Sequence, residues 1–550
     1  MTTTRLAAAA ALCALALSGC GQVTPTSPDA LALAVAAGSD PTPSPAPSVA
    51  PRVVLRLKAP SPAAKRAEVP GRLPSAAETR RAARRVDAMS LPELAGQVIV
   101  AKYKGTDAPV RLVRRLHLGG VIAFTENVTS PEQIGRVNRE LAAKVRRPLL
   151  IGVDQEGGSV ARVTGDATRF PTFMAAGAAD DTRLTRAAAY GSGAELLGMG
   201  FDTVFAPDAD VTIGPADPAI GARSAGSRPA LVARHVVAAG QGYQDAGVVP
   251  VLKHFPGHGS LTTDSHVALP VQKRTRAQLD KVDLRPFREA IDQDAPAVMV
   301  GHIDVRAIDP GRPASVSRKV ITGLLRHDLG FRGLVVTDSL GMDGVEKQYP
   351  GGRGAVAALR AGADVALMPD DAAEARASII RAVRDGRLPR ARLEGAATRM
   401  LATLIHRNAG DHTPASPGAR QGSSTRLSKA ALTVVAGPCS GRLVRDGIRV
   451  VGPSPQADRL RAAARQGGLT VGEGTKVVLV PRGGKAARGS VVVALDTPYV
   501  LRRSDARVKV ATFGDNYAVM RNLVDLLLGR TTAPGRLPVT VRGVPRTGCP

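Results

Sequence analysis

The stretch KHFPGHGSLTTDSH, residues 253–266, gathers Lys253, His254, His258, Asp264 and His266 in a chain of 550 residues that holds only nine histidines. Three chemistries use such a mixture: a metal centre, a hydrogen-bonded loop, or a proton-transfer device. Metal ligation by His254, His258, Asp264 and His266 is disfavoured, because Pro256, Gly257 and Gly259 break any ligand-bearing helix and Lys253 repels a cation. Neither a metal nor an organic cofactor is expected. Asp264 and His266 stand two residues apart, on one face of an extended segment, where a carboxylate can orient an imidazole and stabilise its cation. Imidazole has a reference pKa of about 6.5, so such a ring can release a proton in one step and accept one in the next.

The remaining reactive side chains fall at the ends of short apolar runs. These runs are VIVAKY (98–103), GVIAFT (120–125), LLIGVD (149–154), DTVFAP (202–207), VVPVLKH (248–254), AVMVGHI (297–303), LVVTDS (334–339) and DVALMP (364–369). Amphipathic stretches such as 130–145 and 276–293 separate them, the first opening on Ser130 as N-cap ahead of Pro131. Eight such β-then-α units predict a (β/α)8 TIM barrel over 76–408. A barrel of this kind carries its chemistry where the strands end, and Asp154, Asp208, Lys253, His254, His302, Asp304 and Asp338 all lie there. His302 and Asp304 are expected only to line the cleft. From position alone Asp338 suits a helix N-cap as well as a nucleophile.

Residues 409–425 are a linker by composition, and 426–550 predict a second, smaller α/β sandwich domain. Its strands are expected at 448–452, 476–481, 491–496 and 508–514, alternating with helices at 456–467 and 516–529. Residues 1–20, with one Arg5, an apolar run and the ending LSGC, predict a signal peptide whose Cys20 becomes the lipidated first residue of the mature chain. Residues 21–75, rich in Pro, Ala and Ser, predict a tether that would hold the body on the order of 40 Å from the lipid. Such processing places Cys439 and Cys549 in an oxidising compartment and predicts that they pair. Two buried thiols are the alternative. The formal charge of +27 arises from 74 basic and 47 acidic residues. It is spread along a chain without tryptophan, which argues against a nucleic-acid partner and suits an anionic cell envelope. A mean hydropathy of −0.01 excludes a multi-span membrane protein.

Four ordered motifs, VDQEGGSVARV (153–163), IGARSAG (220–226), KHFPGHG with DSH (253–259 and 264–266) and GLVVTDSLGM (333–342), resemble those of glycoside hydrolase family 3, in its bacterial β-N-acetylglucosaminidase branch. The resemblance spans the predicted barrel, and 513–541 is similar to the family's second domain. It implies Asp338 as nucleophile, His266 as acid/base assisted by Asp264, and substrate contacts from Asp154, Arg162, Arg223, Lys253 and His254. Two positions depart from the family pattern. Ser339 stands where a second acidic residue is common, and Ala225 replaces an aromatic.

The expected activity is therefore retaining, exo-acting release of terminal N-acetylglucosamine from peptidoglycan fragments or related amino-sugar glycosides, by a lipid-anchored, extracytoplasmic and monomeric enzyme. The alternatives are another family 3 β-glycosidase, a glycoside phosphorylase, or a glycan-binding lipoprotein without catalysis. The last would be marked by loss of Asp338, Asp264 or His266, and all three are present.

Overall fold

Each of the eight apolar runs supplies one parallel strand: β1 Ile99–Lys102, β2 Gly120–Ala123, β3 Leu150–Val153, β4 Thr203–Val204, β5 Val249–Phe255, β6 Ala297–Val300, β7 Leu334–Thr337 and β8 Ala366–Leu367. They are hydrogen-bonded in the order β7-β6-β5-β4-β3-β2-β1-β8, and a parallel bridge between Val336 and Val365 joins β7 to the approach of β8. The ring thereby closes into a barrel. The computed structural model describes residues 72–485 and 488–549. The expected signal peptide, Cys20 and nearly all of the tether lie outside the described residues. No helix among the described residues is long and apolar enough to cross a membrane.

The strands read as almost unbroken apolar runs because both of their faces are buried. Side chains pointing inward, among them Val100, Ile122, Leu150, Phe205, Val251, Met299 and Val336, fill the barrel lumen as one cluster. The alternate residues pack outward against the helices in a second, larger cluster. At the entry to β8 the fully buried Asp364 accepts hydrogen bonds from Arg326 (2.6 Å), Arg392 (3.0 Å) and Arg399 (3.0 Å). This face, opposite the strand ends, is held by charge as well as by packing.

The helix Pro131–Val145 begins as expected, with the Ser130 hydroxyl accepting from the Gln133 N–H at 3.1 Å. The single helix expected over 276–293 is instead two, Arg276–Lys281 and Arg285–Ile291. Pro286 opens a new first turn, and the intervening Asp283 turns into the protein, where it accepts from Ser260 Oγ at 2.6 Å and pairs with Arg274. The helix Gln421–Ala431 likewise starts inside the stretch read as linker.

The second domain is a six-stranded sheet: β9 Thr433–Ala436, β10 Gly447–Val451, β11 Thr470–Val471, β12 Thr475–Val480, β13 Val491–Ala494 and β14 Val508–Ala511. The order is β9-β14-β13-β12-β10-β11, parallel except for the edge strand β9. Strands β9 and β11 were not expected from the sequence. One face packs on the helices Ser454–Gly467 and Tyr517–Leu527. The other shares a core with Met174, Ala175, Ala178 and Ala222 of the barrel. Cys439 and Cys549 are joined in a disulfide, Cα atoms 5.3 Å apart, which ties the chain end to this domain.

Candidate active site

The ends of β3 and β5 converge on one buried lysine. Lys253, on β5, is 3% exposed, and its ammonium lies 2.6 Å from Asp154, just beyond β3, and 2.7 Å from Glu156. Asp154 and Glu156 alternate along one extended segment, so both side chains face the lysine. Gln155 between them faces the other way: its Oε1 accepts from the N–H groups of Arg162 and Val163, and its Nε2 donates to the Val163 carbonyl. That clamp forms the turn presenting Arg162, whose guanidinium stacks 5.3 Å over Phe124 and lies 3.9 Å from Asp154.

Glu156 also takes a bidentate pair from Arg223, both contacts at 2.8 Å. Burial by itself raises a carboxyl's pKa, but Arg223 and Lys253 outweigh it and hold Glu156 well below the usual glutamate range. Burial likewise acts against the charge on Lys253, and Asp154 with Glu156 overcomes it, so the ammonium persists. Arg223 reaches Asp208 at 3.4 Å. There burial, reinforced by the charge of Asp210, pushes the Asp208 carboxyl well up.

Beside Lys253, His254 faces Asp210 through Nδ1 at 2.8 Å, and its Nε2 lies 3.5 Å from Arg223. Burial lowers its pKa, against the opposing charge of Asp208. Asp208, Asp210 and His254 offer potential ligand atoms within 4.8 Å of one another. However, the Arg223 guanidinium already provides positive charge there, and the Nδ1 atom points at Asp210. The four residues considered above for a metal do not share one centre: His254 is turned to Asp210, His258 to Ser265, and His266 to Asp264.

Asp338 follows β7 directly, and the Ser339 N–H donates to its Oδ1 at 2.8 Å. Burial works to raise its pKa, but His254, His302, that N–H and His266 together bring it below the ordinary aspartate value. An ionised carboxylate at a strand end is equipped to attack an electrophilic carbon. His302 steadies the same turn through the Ser339 carbonyl, 2.7 Å from its Nε2. Asp304 is committed to Arg306 and the Gly311 N–H and stands apart from the cluster.

Asp264 and His266 lie on the loop after β5, with Asp264 Oδ1 2.7 Å from His266 Nδ1. The ring is 68% exposed, which leaves it open to an incoming group. The Asp264 carboxyl is held below its ordinary value, since its hydrogen bonds and the His266 charge exceed the effect of burial.

The structure thus brings Asp154, Arg162, Arg223, Lys253, His254 and Asp338 around one cleft, with Asp264 and His266 on the adjoining loop. Sequence reasoning missed Glu156 and Asp210. Both stand at i+2 from another carboxylate, Asp154 and Asp208, and that alternation was the available signal. The second domain contacts the loop carrying Arg223 through Arg482, which donates to the Pro218 carbonyl at 2.6 Å.

The model of the glycosyl hydrolase family 3 N-terminal domain matches residues 90–403. A beta-hexosaminidase A of Pseudoalteromonas piscicida is 37% identical over 280 residues, covering 47% of this chain and 47% of its own length. The chain thus spans about half of that relative. A beta-hexosaminidase of Alkalilimnicola ehrlichii is 41% identical over 257 residues, covering 46% of this chain and 73% of its own. The solved structure of a family 3 beta-N-acetylglucosaminidase from Paenibacillus sp. superposes with a TM-score of 0.76 at 31% identity, over 82% of this chain and 99% of that one. The motifs, the closed barrel with its second sheet domain and these matches agree: the chain belongs to glycosyl hydrolase family 3.

Proposed function

We propose that the protein is a retaining exo-β-N-acetylglucosaminidase. The observation that carries the reading is the Asp264–His266 pair on the β5 loop, whose imidazole charge is felt at the ionised Asp338 carboxylate. In the first step Asp338 attacks the anomeric carbon while His266 protonates the departing glycosidic oxygen, forming a glycosyl ester. In the second, His266 takes a proton from water, which attacks the same carbon and returns Asp338 as carboxylate. Asp154, Arg162 and Lys253 suit charge-assisted hydrogen bonds to the sugar hydroxyls, with Arg223 and His254 completing that wall. The names of the family relatives support N-acetylglucosamine as the sugar.

Lipid anchoring through Cys20 and an extracytoplasmic location form part of the proposal, supported by the residue pattern of 1–20 and by the Cys439–Cys549 disulfide, which suits an oxidising compartment. Peptidoglycan fragments are then the amino-sugar glycosides within reach.

The test is turnover of a chromogenic β-N-acetylglucosaminide against the matching β-glucoside. Preference for the acetamido sugar is expected, with a loss on the order of 10^4-fold in Asp338→Ala and about 10^2-fold or more in His266→Ala. Absence of turnover of either sugar by the parent protein would overturn the reading.

A further inference from the structure

Along the loop Asp264 is half-buried, Ser265 buried and His266 exposed. Ser265 between them is 3% exposed, whereas the His266 side chain is 68% exposed. Both polar ends of Ser265 are engaged. Its hydroxyl lies 3.0 Å from His258 Nε2, and its carbonyl accepts from the Gly344 N–H at 3.2 Å. His258 is itself immobilised. It is 2% exposed, and its backbone N–H donates to Asp210, the carboxylate that faces His254. Gly344 lies six residues past Asp338, in the short helix Asp343–Glu346.

We infer that Ser265 is a positioning residue, a latch that fixes the acid/base loop to His258 on one side and to the nucleophile's own loop, through Gly344, on the other. The inference rests on the acid/base role proposed above for His266. Seating Ser265 holds the turn 264–267, closed by the Val267 N–H on the Asp264 carbonyl at 3.2 Å, in which the His266 N–H donates to the Asp264 carboxylate at 2.9 Å, so the two side chains are fixed as one unit. In this seated arrangement the His266 charge reaches Asp338 and His302. The bond from Ser265 to the Asp338 loop ties donor and nucleophile to one frame, as catalytic geometry requires. Burial pushes the His258 imidazole down to about 4, so the ring grips Ser265 without adding a competing cation beside the site.

The contact from Gly344 depends on the absence of a side chain. A Cβ built there would lie 2.9 Å from the Ser265 carbonyl oxygen and 3.1 Å from His302 Cβ. An alanine would therefore push the latch away without touching any group that reacts.

The experiment compares phenyl and 2,4-dinitrophenyl β-N-acetylglucosaminides. The dinitrophenolate departs with little need for protonation, and phenolate does not, so the ratio of the dinitrophenyl to the phenyl kcat/KM rises as the acid is displaced. A change in folding alone would lower both values and leave the ratio constant. Ser265→Ala is expected to raise the ratio about fivefold, the effect of one lost neutral hydrogen bond, and Gly344→Ala about tenfold or more, since the whole contact must open. His258→Gln, which keeps a hydrogen-bonding atom at the reach of Nε2, is expected to hold the ratio within about twofold of the parent. If one variant fails to fold, the other still reports on the same contact. The inference is overturned if Ser265→Ala and Gly344→Ala leave the ratio unchanged while His266→Ala raises it, an outcome that spares the acid/base role. If His266→Ala also leaves it unchanged, both fall together.

Discussion

Glu156→Gln tests whether one buried carboxylate organises the sugar-binding wall. The side chain is 4% exposed and meets three cationic donors, two from Arg223 at 2.8 Å and one from Lys253 at 2.7 Å. Glutamine keeps the volume and one oxygen but removes the charge. Lys253 retains Asp154 at 2.6 Å, whereas Arg223 retains only Asp208 at 3.4 Å. Arg223 then keeps a single, longer carboxylate contact in the interior. Removing one partner of a buried pair costs about 3–5 kcal/mol, and the retained oxygen places this variant near ~3 kcal/mol. Loosened Arg223 and Lys253 should also cost about 10^2-fold in kcat/KM, about 2.7 kcal/mol of transition-state binding. Urea denaturation and steady-state kinetics on an N-acetylglucosaminide measure both quantities. A variant within about 1 kcal/mol of the parent, with kcat/KM inside a threefold margin, would refute the argument.

The same residue predicts a pH signature. Its folded pKa lies below the ordinary glutamate value of 4.5, so its stabilisation is complete above that pH and is lost as pH falls; the urea midpoints of parent and Glu156→Gln should converge below pH 4.5 and separate above it. Asp364→Ala, which strands Arg326, Arg392 and Arg399 at the opposite end of the barrel, should cost about 3–5 kcal/mol in denaturation while leaving KM nearly unchanged. Cys439→Ser opens a bridge between residues 110 apart and should cost about 3–4 kcal/mol, seen as an earlier thermal transition that reductant reproduces in the parent.

The eight strands were legible because a barrel strand buried on both faces must be apolar along its length, a pattern no surrounding segment shares. Asp338, Lys253 and Asp154 could be flagged for a related reason: a charged residue directly after such a run stands at the face where the strands open. The motifs then assigned chemistry to positions that strand geometry alone had left open between cap and nucleophile. Fine breaks were harder to see. Amphipathic periodicity runs through 276–293, yet Pro286 and the inward turn of Asp283 divide it, because Ser260 and Arg274, outside that window, hold the Asp283 carboxylate. Strand β9 was hidden in the same way. It is an antiparallel edge strand paired with β14, which lies more than seventy residues downstream.

By itself the sequence determined the units of this protein: which segments must be buried and which acids and bases stand at strand ends. Those properties are local, set by hydrophobicity, alternation and reactive group. Only the tertiary structure decided which charges meet. Glu156 becomes the shared anion of Lys253 and Arg223, from β5 and from the loop beyond β4, because β3, β4 and β5 lie side by side in the barrel. Ser265 becomes a latch because His258 and Gly344, 86 residues apart in the chain (344 − 258), close on it from two sides. A carboxylate's charge or a serine's role in a buried site depends on the groups within a few ångströms, and sequence separation carries no record of that distance.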